Sequence, residues 1–171
     1  MVRTAFRKFI EMFPTDKEAM CAEIGVGHGY NSHSMLQAMP NMKLILIDQY
    51  KPYYSESESE TTQELFDLCR QAMNEMRLPY STQFIEMSSL EASKTFEDET
   101  FDFVYIDAEH TLEMVKQDIQ VWLPKVKKGG MLSGHDYNLP SVGKAVREYF
   151  PEIDHDTFDS SNLKSDWWIV K

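Results

Sequence analysis

Apolar positions along the chain fall into two alternating rhythms. Val2, Phe6, Phe9 and Phe13 recur every three or four residues, the spacing of an amphipathic helix, and Pro14 ends it. "AMCAEIGV" then reads as a buried strand leading into glycines. A helix over Asn31 to Met39 stops before Pro40, and "KLILID" is a second strand, apolar almost throughout as strands buried on both faces are. Phe66, Cys69, Met73 and Met76 mark another helix, followed by the strands "TQFIEM" and "FDFVYID". Leu112, Val115, Ile119 and Trp122 form one helical stripe closed by Pro124, and "KKGG" turns the chain into a fifth strand, "MLSGHD". Val142, Val146 and Tyr149 mark a helix before Pro151, and "SDWWIVK" reads as the last strand, with Trp167 and Trp168 as strand and core residues. Strands alternating with helices predict an α/β fold, a parallel sheet covered on both faces.

The length, 171 residues, suits one domain spanning 1–171. A formal net charge of −11 argues against sequence-independent nucleic-acid binding, which needs a basic footprint, and against an anionic membrane surface. Cys21 and Cys69 both fall at apolar positions, as small buried hydrophobes rather than a disulfide framework or metal motif, which points to a reducing, cytoplasmic compartment. The N-terminal "MVRTAFRKFIEMF" is too broken by charge for a signal peptide, and no apolar run approaches a membrane span. The acidic "KPYYSESESE" reads as a solvated loop, with Tyr50, Tyr53 and Tyr54 placed to form a flap over a ligand.

Gly25, Gly27 and Gly29 crowd "AEIGVGHGY" at the end of the first strand. In a doubly wound sheet ligands lie outside the carboxyl ends of the strands, so this loop is the natural cradle. Asp48 ends the second strand some two dozen residues on, where a carboxylate accepts hydrogen bonds from both hydroxyls of a ribose. Glycine loop and acid together point to an adenosine-containing ligand. The spacing is G-x-G-x-G rather than the G-x-G-x-x-G of a dinucleotide site, and Glu23 precedes it. A carboxylate there suits a cation better than a pyrophosphate, and S-adenosylmethionine carries a sulfonium and an ammonium without phosphate.

"EIGVGHG" resembles motif I of the class I S-adenosylmethionine-dependent methyltransferases. "FDFVYIDAEHTLEMVKQDIQVWLPKVKKGGMLSGHDY" is similar to the methyltransferase family carrying an "IDGDHSYE…D…W…L…GG…GHDY" pattern, and the resemblance runs from about Glu23 to Phe150. It implies a three-layer Rossmann-like fold with a seven-stranded, mostly parallel sheet whose last strand is antiparallel and inserted near the edge. It also implies that Glu23, Gly25, Gly27 and Gly29 surround the methionine part of the cofactor, that Asp48 holds the ribose, and that Met87 and Ser88 contact the adenine. Glu109, Ala108 and Leu112 depart from the pattern's Asp, Gly and Tyr.

The fourth and fifth strands end in "YIDAEH" and "SGHDY". Parallel neighbours lie about 4.8 Å apart, so Asp107 and Asp136 can meet, and two carboxylates so close need a proton or a cation between them. Mg²⁺ would take Asp107, Asp136 and waters, and His135 as a third ligand widens the choice to Mn²⁺, Fe²⁺ or Zn²⁺. Without a metal, Asp107 would touch the cofactor's amine or the acceptor. His110 and His135 are the candidate general bases, whereas His28, His33 and His155 read as surface or packing residues. The expected activity is O-methylation of a small polar molecule, a sugar or phenol hydroxyl, with no nucleic-acid or membrane partner and with room for a homodimer. Two alternatives stand beside it: a nicotinamide-dependent oxidoreductase, and a non-catalytic cofactor-binding or interaction module.

Overall fold

The computed structural model describes residues 2–14, 17–52, 62–77, 80–156 and 165–171. The "SESESE" run, Tyr53 and Tyr54 lie outside the described residues.

The apolar runs pair side by side. β1 (Met20–Ile24), β2 (Lys43–Ile47), β3 (Thr82–Ile85), β4 (Phe101–Ile106) and β5 (Val126–Gly134) are parallel to one another, and β7 (Trp167–Val170) is antiparallel between β5 and the short β6 (Asp154–His155). The order β3-β2-β1-β4-β5-β7-β6 is the expected seven-stranded sheet. The chain runs outward from β1 in both directions, which opens a crevice at the carboxyl ends of β1 and β4.

Period-two alternation sorts the side chains into two cores. Cys21, Leu44, Leu46, Phe103 and Met131 face α1 (Thr4–Met12), α2 (Tyr30–Ala38) and α3 (Gln63–Arg77), against Phe6, Phe9, Met35, Leu36 and Met73. Ala22, Ile24, Ile45, Val104 and Leu132 face α4 (Ser89–Ser93), α5 (Leu112–Trp122) and α6 (Pro140–Tyr149), against Val115, Ile119, Trp122 and Val146. Cys21 and Cys69 are both free and buried, and Trp167 is buried on its strand. Among the described residues no helix is long and apolar enough to cross a membrane.

The structure corrects the sequence reading in a few places. "KKGG" does not precede the fifth strand but lies inside β5 as a bulge. Phe101 stands opposite Val126 and Phe103 opposite Met131, so the extra residues loop out while Lys127 grips Asp102 at 2.9 Å. The five-residue α4 and two-residue β6 are too short to show a period. Tyr50 is no flap: it is 2% exposed and packs on Phe84.

Two buried carboxylates fix the helices around the crevice. Asp166 accepts hydrogen bonds from the Ala5 amide at 2.9 Å and the Tyr105 hydroxyl at 2.7 Å. It thereby serves an unpaired N–H of the first turn of α1 from the residue just before β7. Glu23, 1% exposed, accepts from the Asn31 side chain at 2.9 Å and from the Ser32 hydroxyl, anchoring the start of α2. Burial pushes its carboxyl up to about 8, against the pull of those hydrogen bonds.

Trp122→Ala should cost about 3–5 kcal/mol in urea unfolding; a loss under about 1 kcal/mol would contradict its place in the core. Glu23 keeps its proton to a higher pH when folded than the ordinary 4.5 allows. Its contribution is therefore complete below that value and lost as pH rises through about 8. The unliganded protein should lose stability between about pH 5 and 8, and Glu23→Gln should flatten part of that loss; an unchanged slope counts against it.

Candidate functional site

Main-chain hydrogen bonds stitch the strand ends together. The Gly25 amide donates to Ile47 at 2.9 Å and the Asp107 amide to Ile24 at 2.7 Å. The three loop glycines then separate by what surrounds them. Gly25, with φ +83°, lies so close to the end of β4 that a Cβ would fall 2.2 Å from the Asp107 carbonyl oxygen. At Gly29 a Cβ would meet Met76 of α3 at 2.7 Å. A Cβ on Gly27, φ +52°, would meet no described residue within 4 Å. The backbone contact with Asp107 therefore accounts for Gly25, and among the described residues Gly27 faces open space.

Asp48 organises this loop. Its Oδ2 accepts from the Val26 and Gly27 amides at 2.9 and 3.0 Å, and its Oδ1 from the Tyr50 amide at 2.8 Å. The Tyr50 hydroxyl donates to the Gly27 carbonyl at 2.7 Å. A carboxylate offers about four lone-pair sites, so Asp48 retains capacity for a ligand.

A cavity of about 300 Å³ opens beside these groups, within the range of small-molecule sites, roughly 300–1,000 Å³. Of the residues expected from the sequence, Gly25, Gly27, Asp48, Met87, Ser88 and Asp107 line it. Glu23 and Gly29 do not: Glu23 is sealed beneath the loop, and Gly29 packs on α3. In this structure both residues support the loop. Ser88 also caps α4, its hydroxyl accepting from the Glu91 amide at 3.3 Å.

Asp107 reaches from the cavity into a second group of side chains. Nε2 of His110 lies 3.5 Å from Asp107 Oδ1 and 3.4 Å from Asp136 Oδ2, and Nδ1 of His135 lies 3.4 Å from each carboxylate. Burial would raise the Asp107 carboxyl, but the contacts with His110 and His135 outweigh it and hold it well below the usual range. Asp136 sits at φ +56°, a left-handed conformation uncommon outside glycine. Oxygens of Asp107 and Asp136 and a nitrogen of His110 lie within 4.8 Å of one another.

His135 differs from the sequence expectation. The Arg3 guanidinium donates to its Nε2, so that nitrogen is an acceptor and the ring proton is on Nδ1, facing the carboxylates. Its side chain is 1% exposed. Arg3 and the two carboxylates meet its two nitrogens in this structure, and His110, 14% exposed, is the more accessible imidazole. No local pattern announces Arg3, which is 132 residues away. Asp118, which also lines the cavity, was likewise missed. The "D…W" element of the family pattern was the available signal for Asp118.

The fold recurs in solved structures of low identity. The chain covers all of itself and 85% of a candidate caffeoyl-CoA O-methyltransferase from Staphylococcus aureus, at TM-score 0.62 and 16% identity. It covers 95% of itself and 59% of the spermidine synthase of Thermotoga maritima, at TM-score 0.60 and 15% identity. Among curated sequences, an uncharacterized protein of Sinorhizobium fredii is 27% identical over 82 residues, which are 44% of this chain and 9% of that protein. The chain thus spans a small part of that curated relative. A family model described as a methyltransferase domain matches residues 22–137, well over half of the chain and the whole stretch from the glycine loop to the end of β5. That match overturns the nicotinamide oxidoreductase alternative. The match takes in the glycine loop, Asp48, Asp107 and the Asp136 turn, and by it this chain belongs to the methyltransferase domain family.

Proposed function

We propose that the chain binds S-adenosylmethionine in the cavity and transfers its methyl group to a hydroxyl of a small polar acceptor, a sugar or a phenol. The observation that carries the reading is Gly27: its backbone is held by Asp48 and Tyr50, yet no described residue occupies the space before it. A nucleoside lying there puts its ribose hydroxyls on Asp48 and its methionine portion along Gly25 and Gly27, toward Asp107.

Methyl transfer is an in-line displacement, so positioning supplies much of the rate. The acceptor oxygen forms its bond to the methyl carbon as the carbon–sulfur bond breaks, leaving a neutral thioether. His110 takes the hydroxyl proton, and Asp107 and Asp136, on either side of its Nε2, favour the resulting imidazolium.

A second reading rests on the convergence of Asp107, His110 and Asp136. Carboxylate oxygens with an imidazole nitrogen suit Mg²⁺ or Mn²⁺, and these residues, without His135, would hold the ion. A bound divalent cation would lower the pKa of the acceptor hydroxyl.

In calorimetry the protein should bind S-adenosylhomocysteine, and Asp48→Ala should weaken binding about tenfold or more. Gly27→Ala should stay folded at a cost of about 1 kcal/mol yet lose affinity, whereas unaltered affinity would empty the proposed site. Across a panel of hydroxylated acceptors, His110→Ala should cut turnover about 10²–10⁴-fold. Activity abolished by a chelator and restored by Mg²⁺ selects the metal reading, and chelator-resistant activity the metal-free one. No turnover with any acceptor would favour the non-catalytic module.

A further inference from the structure

Arg3 lies outside the stretch that the family match covers, 22–137, yet its guanidinium reaches the ring of His135 just past β5. α1 carries it there. Arg3 is the N-cap of that helix, with φ −60° and ψ 150°, and its carbonyl accepts the Arg7 amide at 3.1 Å. Phe6 and Phe9 pack on Phe103 with ring centroids 5.1 and 4.9 Å apart. Asp166 ties the Ala5 amide to the Tyr105 hydroxyl. Phe103 and Tyr105 belong to β4, and Asp107 follows directly on that strand. The helix that presents Arg3 is thus fastened to the strand that presents Asp107.

The ring that Arg3 holds stands between two carboxylates. Nδ1 of His135 lies 3.4 Å from Asp107 Oδ1 and 3.4 Å from Asp136 Oδ1. Nε2 of His110 faces the same two residues, at 3.5 and 3.4 Å. Oxygens of Asp107 and Asp136 lie within 4.8 Å of each other, where like charges push apart. One N–H shared by both keeps them together only while the ring keeps its orientation, and rotation of an imidazole about its outer bond is soft. A grip on Nε2, at the far side of the ring, stops that rotation. Arginine suits the task because its fork is rigid and its charge permanent. That charge is felt across the layer beneath: burial raises the Glu23, Tyr105 and Asp166 groups, and Arg3 pulls each of them down.

We propose that Arg3 is a positioning residue, which through the His135 ring holds Asp107 and Asp136 in the orientation that presents them to His110. The inference rests on the methyl-transfer reading above, in which those carboxylates serve His110. Arg3 does not line the cavity, so it acts on turnover and not on cofactor binding. Docking of α1 thereby becomes a condition for a competent site.

The test compares the unaltered chain with Arg3→Met, which keeps the length but loses charge and donors, and with Arg3→Lys, which keeps both. In long-range nitrogen–proton NMR spectra at constant pH, the unaltered protein should show the His135 proton on Nδ1 and none on Nε2. Arg3→Met should shift the ring resonances of His135 and, through the shared carboxylates, those of His110, while Arg3→Lys leaves both near their original positions. A proton on Nε2 in the unaltered protein, or His110 resonances indifferent to Arg3→Met, overturns the proposal. With an acceptor that turns over, Arg3→Met should lower kcat about 10–100-fold, the usual effect of removing an outer support, and leave the calorimetric affinity for S-adenosylhomocysteine unchanged. In a His135→Gln background the same substitution should change little, since Arg3 acts through that ring. Equal losses in both backgrounds, a kcat that Arg3→Lys does not restore, or unfolding of Arg3→Met would make Arg3 a support of α1 alone and overturn the proposal. If the unaltered protein neither binds S-adenosylhomocysteine nor turns over, the methyl-transfer reading falls, and the ring spectra still decide whether Arg3 orients the carboxylates.

Discussion

The carboxylate of Asp48 accepts the main-chain protons of Val26, Gly27 and Tyr50 and so ties the ends of β1 and β2 into one edge. Hydrogen bonds to an ionised group contribute roughly 1.5–3 kcal/mol each, enough to hold a glycine-rich loop that would otherwise sample many conformations. Gly25 completes the arrangement by letting the loop press on the Asp107 carbonyl, where any side chain would collide. The cavity, its acidic wall and its neighbour at β4 all take their positions from this junction.

Acids dominate the carboxyl edge of the sheet, and the protein handles each differently. Asp48 is spread over backbone amides, and Asp107 and Asp136 share two imidazoles. Asp166 is raised by burial and held by an amide and a phenol. Glu23 is pushed toward its protonated form by burial. Arg3 is the cation brought into contact with this group, through His135. Asp48 and Asp107, which line the cavity, suit a positively charged ligand because they are oriented before it arrives.

Much of this was legible in the sequence because it is local. The near-continuous apolar run of "KLILID" marks a strand buried on both faces, and Leu112, Val115, Ile119 and Trp122 mark one face of a helix. Gly27 and Asp48 could be joined because fold rules place the ends of the first two strands side by side. The rest depends on tertiary contacts that no spacing records. Glu23 looked like a ligand-facing acid, but its strand register turns it into the core behind the loop. His135 is met in this structure by Arg3 from the other end of the chain, a contact no spacing records. "KKGG" looked like a turn because a bulge and a turn have the same composition.

The central claim is that the β1 and β2 ends grip a nucleoside through Asp48 and the open face of Gly27. A crystal structure with S-adenosylhomocysteine tests it most directly. The account predicts both ribose hydroxyls within hydrogen-bonding distance of the Asp48 carboxylate and the homocysteine chain against Gly25 and Gly27. Density for the ligand elsewhere, with Asp48 still bonded only to Val26, Gly27 and Tyr50, would contradict it.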